Sequence, residues 1–236
     1  MKDYNDIHCV KQPESIKINL YKHQLTSIYN MEKLEYDKMV SSDDFIKEVS
    51  LGAITDISGY GKTYSVIGLI ARDKMEWDMN IPFVFEKINI ESNGLIKNRK
   101  LERYDKLRSN LILVSSSILN QWQNELENTT LKYISITSKK VIENANIENC
   151  DIVLVIPSMY NDLIKTYSKY AWKRFIFDEP GHVRVSGMKE IKAGFFWFIT
   201  ANPNAIISNH QSCRGSMMFK IITNNTTAEI IKYANN

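Results

Sequence analysis

Six short, almost wholly apolar runs punctuate the chain: LGAIT (51–55), LILVS (111–115), YISIT (133–137), DIVLVI (151–156), RFIFD (174–178) and FFWFIT (195–200). A strand that is apolar on both faces cannot border water, so it needs helices above and below, as in a covered parallel sheet. Amphipathic segments suited to such helices lie between the runs, over 21–31, 63–77, 118–127 and 158–170. Strand then helix, repeated, predicts an α/β fold with a doubly wound, mostly parallel sheet and right-handed crossovers. With 236 residues, only 9 Gly and 5 Pro, and 44% hydrophobic residues, the chain suits one domain over its whole length and is no disordered tail.

The rhythm breaks over 86–110. Seven basic residues (Lys87, Lys97, Arg99, Lys100, Arg103, Lys106, Arg108) stand there against four acidic ones (Glu86, Glu91, Glu102, Asp105), a net +3 equal to that of the whole chain. The stretch reads as a basic insertion, a hairpin or loop, serving either as a solvated excursion or as a contact that tracks phosphates. A pI near 8.6 permits such contacts but lacks the charge density of a dedicated basic DNA-binding protein. Cys9, Cys150 and Cys213 form no CxxC pair, which argues for a reducing compartment and against a structural metal. No apolar run approaches the roughly 20 residues of a membrane span, and the first twenty residues lack a signal-peptide core. A soluble intracellular protein, cytoplasmic or nuclear, is expected. The last thirty residues, with a short helical signal over 228–234, read as a domain margin.

Chemistry concentrates at Asp56-Ile57-Ser58-Gly59-Tyr60-Gly61-Lys62-Thr63, which follows an apolar run and opens an amphipathic helix. Small residues let backbone N–H groups wrap a phosphate, and the helix N-terminus adds a favourable dipole. Lys62 would reach the β- and γ-phosphates of ATP, and the Thr63 hydroxyl would ligate Mg²⁺. The P-loop pattern is met except for Asp56, which stands where the first Gly is expected. A second signal is Asp178-Glu179, adjacent carboxylates at the end of an apolar strand. They suit a division of labour in which Asp178 holds Mg²⁺ and Glu179 orients and deprotonates a water.

The order of these elements resembles the first RecA-like lobe of superfamily 2 helicases and translocases. The resemblance is greatest to the Snf2-like members and the helicases of large nucleocytoplasmic DNA viruses. Residues 20–25 (LYKHQL) resemble the adenine-recognition motif, 56–63 match that group's D-x-x-G-x-GKT form of motif I, and 111–126 (LILVSSSILNQWQNEL) resemble motif Ia. Likewise 150–160 resemble motif Ib, Asp178-Glu179 motif II, and Thr200-Ala201-Asn202 the S/T-A-T of motif III. The resemblance implies an ATP·Mg²⁺-binding P-loop NTPase lobe of a nucleic-acid-dependent motor. Gln24 would read adenine, Gly59, Tyr60, Gly61, Lys62 and Thr63 would hold phosphates, and Thr63 and Asp178 the metal. Glu179 would serve catalysis, Thr200 would couple nucleotide state to strand grip, and Ser115, Ser116 and Ser158 would touch single- or double-stranded DNA or RNA.

Two departures stand out. Gly181 occupies the place where the family has a His or Asp, with His182 one position late, which leaves the link from motif II to motif III in question. Motifs IV to VI, with the arginine fingers of the second RecA-like lobe, are not found, so a missing second lobe is an expected partner. Among other residues, His23 reads as packed or exposed and not a ligand, and Trp122, Phe195, Phe196 and Trp197 read as core or interdomain filling. Helix N-capping explains the serines about as well as phosphate contact does. Two other classes stay open: a non-catalytic nucleotide- or nucleic-acid-binding module, and a P-loop ATPase outside superfamily 2.

Overall fold

The computed structural model describes residues 8–42, 45–91 and 96–204. In chain order the elements are α1 (Lys22–Asp37), β1 (Met39–Ser42), β2 (Phe45–Glu48), β3 (Leu51–Ile54), α2 (Lys62–Arg72), β4 (Phe83–Glu91), β5 (Ile96–Lys106) and β6 (Asn110–Leu113). They continue with α3 (Leu119–Glu127), β7 (Tyr133–Ile136), α4 (Lys139–Asn144), β8 (Ile152–Val155), α5 (Pro157–Thr166), β9 (Tyr170–Asp178) and β10 (Ala193–Ile199). The short helix expected over 228–234 lies outside the described residues, as does Cys213.

Six strands pair in parallel in the order β3-β10-β9-β6-β8-β7. Side chains alternate across a strand, so each apolar run feeds two layers. Ile112, Ile176 and Trp197 face α1, α2 and α3, whereas Leu113, Phe175, Phe177 and Phe198 face α4 and α5. Helices cover both faces, the doubly wound arrangement that the two-faced apolar runs require.

Where element bounds differ from expectation, charged groups explain the difference. The strand expected from residue 174 begins at Tyr170 and passes straight through Lys173 and Arg174. Arg174 is fully buried, with Nε and Nη2 bonded to the two Glu35 carboxylate oxygens at 2.6 and 2.7 Å, and Nη1 to Asp73 and Asn110, each at 3.1 Å. Trp197 Nε1 donates to the same Glu35 at 2.8 Å. A buried charge survives only when paired in this way, and the network ties the C-terminal end of α1 to β9 and β10. Lys173 meets Asp73 at 2.6 Å. Asp73, left-handed at φ 43°, also ends α2, five residues short of the Trp77 expected. α1 runs on past Met31 to Asp37 and ends at a left-handed Lys38.

The basic insertion is a hairpin, in which β4 and β5 pair antiparallel from Phe83↔Tyr104 to Glu91↔Ile96. Its boundary lies earlier than 110, because Asn110 already belongs to β6. Asp105 and Lys106 pair in parallel with Tyr170 and Ala171, the first residues of β9. Earlier residues of β5 therefore extend beyond the amino end of β9, away from the carboxyl edge of the sheet. A second antiparallel pair, β1 with β2, carries no sequence signal recognised above. Among the described residues no helix is long and apolar enough to cross a membrane.

Candidate nucleotide and cation site

Consecutive strand ends along one edge of the sheet carry the residues singled out in the sequence. β3 leads into the 55–61 loop, β10 into Thr200, β9 ends on Asp178 before Glu179, β6 leads to Ser115 and Ser116, and β8 to Ser158. Ligands of open α/β sheets gather at this carboxyl edge.

The loop is shaped by Gly59 at φ 86° and Gly61 at φ 71°, conformations that side chains strain. At Gly61 a Cβ would also fall 2.3 Å from Gln24 Nε2. Gln24 itself is buried: its Nε2 donates to the Gly61 carbonyl at 3.1 Å and its Oε1 accepts from the Tyr21 N–H at 2.8 Å. It closes the first turn of α1 and clamps that helix to the loop. Beside it lies a pocket of about 320 Å³ lined by Ile18, Tyr21, His23, Gln24, Tyr60 and Tyr64. Tyr21 and His23 stack with centroids 5.6 Å apart, and His23 meets the Tyr60 ring at 5.4 Å. Lys62, at the first turn of α2, turns its ammonium back onto the carbonyls of Asp56 and Ile57, at 2.7 and 3.2 Å.

Asp178 is 7% exposed, and the indole N–H of Trp122 donates to its Oδ2 at 2.8 Å. Burial pushes the Asp178 carboxyl up to about 6; the bond from Trp122 opposes the rise, Glu179 and Glu125 add to it, and Lys62 opposes it. Glu179 adopts φ 50°, a left-handed conformation rare outside glycine, and its N–H bonds the Ile199 carbonyl at 2.7 Å. That turn aims its carboxylate at motif III, where Oε2 accepts from the Thr200 hydroxyl at 2.9 Å and Oε1 from the Ala201 N–H at 3.2 Å. Asp178-Glu179 thus touches Thr200-Ala201 through the Glu179 carboxylate. His182 is exposed, and its N–H bonds back to the Glu179 carbonyl at 2.9 Å.

Ser116 and Ser158 are exposed, and Ser115 shares a 2.8 Å hydrogen bond with Ser117. Neither α3 nor α5 receives a side-chain cap, their capping positions being Ile118 and Ile156. N-capping is therefore not what occupies these hydroxyls.

In α3 the sequence reading missed a bond of Trp122 and the whole of Glu125. Trp122 is buried as expected of a core residue, yet its N–H serves Asp178; a buried indole needs an acceptor, and that need was the available signal. Glu125, three residues on and so on the same helical face, was not singled out at all. Its Oε1 accepts from Gln121 at 2.9 Å, while its buried Oε2 receives no hydrogen bond. Burial raises its pKa, opposed by Gln121 and by the Thr63 side chain that faces it.

No family model matches the chain. In sequence it is similar to "Putative helicase R592" of Acanthamoeba polyphaga mimivirus, 22% identical over an alignment of 298 residues that takes in 87% of this chain and 34% of that protein. Its structure is similar to the Sulfolobus solfataricus SWI2/SNF2 ATPase core in complex with dsDNA, with a TM-score of 0.58 and 18% identity, over 88% of this chain and 36% of that one. The Sulfolobus solfataricus SWI2/SNF2 ATPase core domain also matches at TM-score 0.58 and 18% identity, over 89% of this chain and 39% of that one. The chain thus spans about a third of the length of the curated relative it matches. The resemblance drawn from the motifs is borne out: the fold is similar to the RecA-like fold of the SWI2/SNF2 ATPase core, and the chain is similar in sequence to a protein named as a putative helicase of a giant virus.

Proposed function

We propose that this lobe binds ATP with Mg²⁺ and is the nucleotide-binding half of a nucleic-acid-dependent ATPase motor of the superfamily 2 type. The observation that carries the reading is the edge itself: the P-loop, Thr200 and the Asp178-Glu179 pair stand on the neighbouring strands β3, β10 and β9. The residues present fit the ligand. Gly59 and Gly61 open a turn that a Cβ would close or strain, and Thr63 and Asp178 offer the oxygen donors that Mg²⁺ prefers.

In this reading Gly59, Tyr60 and Gly61 present backbone N–H groups to the phosphates, and Lys62 exchanges its loop carbonyls for phosphate oxygens. The pocket beside Gln24 takes the base, with Tyr21, His23 and Tyr60 as its aromatic wall. Bound Mg²⁺ supplies charge that offsets the phosphates, held by Thr63 and Asp178. Glu179 accepts the proton of the attacking water, and releasing Thr200 and Ala201 frees its carboxylate for that task. Because Thr200 shares this bond, occupancy of the site reaches the strand end of motif III. Ser115, Ser116 and Ser158 would contact sugar and phosphate of a nucleic acid, since a motor that moves along a strand cannot depend on base identity.

The test is calorimetric titration of ATP with Mg²⁺ into the whole chain and into Lys62→Ala. A loss of tenfold or more, about 1.4 kcal/mol or above, is expected with the fold intact. Equal affinity in both proteins overturns the assignment.

A further inference from the structure

Three carboxylates surround the cation side of the site, and only two of them have work in the reading above. The third, Glu125, comes from α3, an element that motifs I and II do not include. Trp122 fixes how α3 meets β9, since its indole N–H is committed to Asp178 Oδ2 at 2.8 Å. Three residues on, Glu125 shares that helical face, close enough to raise the Asp178 pKa, with its carboxylate facing the Thr63 side chain. A single side chain thus looks onto both residues that would hold Mg²⁺.

Glu125 Oε2 is the decisive atom. It is buried, and no hydrogen bond reaches it. Leaving a buried carboxylate oxygen without a partner is unfavourable, so a donor is due. The Thr63 hydroxyl faces this carboxylate but belongs to the cation in the reading above, and the other donors around it are spent: Trp122 on Asp178, Gln121 on Glu125 Oε1, and the Lys62 ammonium on the carbonyls of Asp56 and Ile57. That leaves Oε2 open to a donor from outside the chain. Mg²⁺ dehydrates reluctantly and keeps several waters while taking one or two carboxylates.

We propose that Glu125 is a positioning residue for the cation of this site, its buried Oε2 accepting a hydrogen bond from a water on the cation that Thr63 and Asp178 hold. The inference rests on the ATP·Mg²⁺ reading. Outer-shell partners of this kind orient the ligands and are worth about 10- to 100-fold in metal affinity.

The experiment titrates Mg²⁺ against the whole chain bound to a fluorescent ATP analogue, in wild type, Glu125→Gln and Glu125→Asp. Glutamine keeps the length and the bond with Gln121 but loses the charge. Its expected effect is an apparent Mg²⁺ affinity about tenfold or more weaker, with binding of the analogue in EDTA unmoved. Aspartate, a carboxylate withdrawn by one methylene, should fall between the two, and it carries the test alone if the glutamine variant does not fold. Identical Mg²⁺ dependence in wild type and variants overturns the proposal while the nucleotide site stands. So does an equal loss of affinity with and without Mg²⁺, which marks a packing role only. A wild type that binds no analogue under either condition overturns the nucleotide reading, and this proposal with it.

Discussion

Asp178 is held where its own charge is unwelcome. Its pKa of about 6 comes chiefly from burial, against an ordinary value of 3.8, so the folded protein binds a proton that the unfolded chain has already released. The sign follows from that difference. Below about pH 4 both states are protonated and the group is neutral to stability; between pH 4 and 6 stability falls as pH rises; above pH 6 the penalty is complete, up to about 3 kcal/mol. Asp178→Asn keeps an acceptor for the Trp122 N–H and removes the penalty. Thermal unfolding should find the variant more stable than wild type above pH 6, with the gain vanishing towards pH 4. A constant difference across that range would mean that the carboxylate is better solvated than its 7% exposure implies. The same burial suits Asp178 to a cation, whose charge would compensate what water does not. Glu179 beside it shows the complementary economy of position: its left-handed backbone turns the carboxylate onto Thr200 and Ala201.

Elements explain what was legible in the sequence and what was not. Strands buried on both faces announce themselves because every position is apolar, so β6, β8 and β10 and their order against the helices could be read directly. The 55–61 loop was legible for a related reason, since Gly59 and Gly61 meet a backbone demand that few residues meet. β9 was only half visible, because Lys173 and Arg174 look like exposed residues until Asp73 and Glu35, both distant in sequence, arrive beside them. Partners of that kind, like the pairing of Trp122 with Asp178 across 56 positions, are created by the tertiary fold and leave no local pattern. The hairpin β4–β5 was anticipated as a hairpin or loop, but its direction was not. Its link to the first residues of β9 sends it away from the edge that carries Ser115, Ser116 and Ser158. At about 3.3 Å per residue the ten steps from Lys106 back to Ile96 carry β5 on the order of 30 Å in that direction. A strand lying on the carboxyl edge would not meet it, which favours the solvated excursion over the phosphate contact. Neutralising Lys97, Arg99 and Lys100 together should therefore leave the salt dependence of single-stranded DNA binding unchanged. A slope shallower by about 0.7 for each lost phosphate contact would place the nucleic acid along the hairpin instead.

At the scale of the whole molecule, 87% of the chain aligns with 34% of the length of the mimivirus relative. Motifs I, Ia, Ib, II and III fall on one sheet edge here, and the resemblance assigns the arginines that meet the γ-phosphate to motifs of the second lobe. An arginine finger is worth roughly 10³ to 10⁵ in rate, because it meets charge that develops only in the transition state. On the proposed reading, binding and hydrolysis should therefore separate in this chain: ATP is held while the barrier stays nearly as high as in water. Glu179 adds to the separation, since its carboxylate is engaged by Thr200 and Ala201 and must leave both before it can take a proton. Steady-state phosphate release by the whole chain should then lie barely above background, gain little from single-stranded DNA or RNA, and change little in Glu179→Gln. Calorimetry on the same preparations should still find ATP bound. Brisk turnover that nucleic acid stimulates and Glu179→Gln abolishes would show that these residues complete the catalytic constellation by themselves. The charge stabilisation assigned to a second lobe would then have to come from a basic side chain already present in this one.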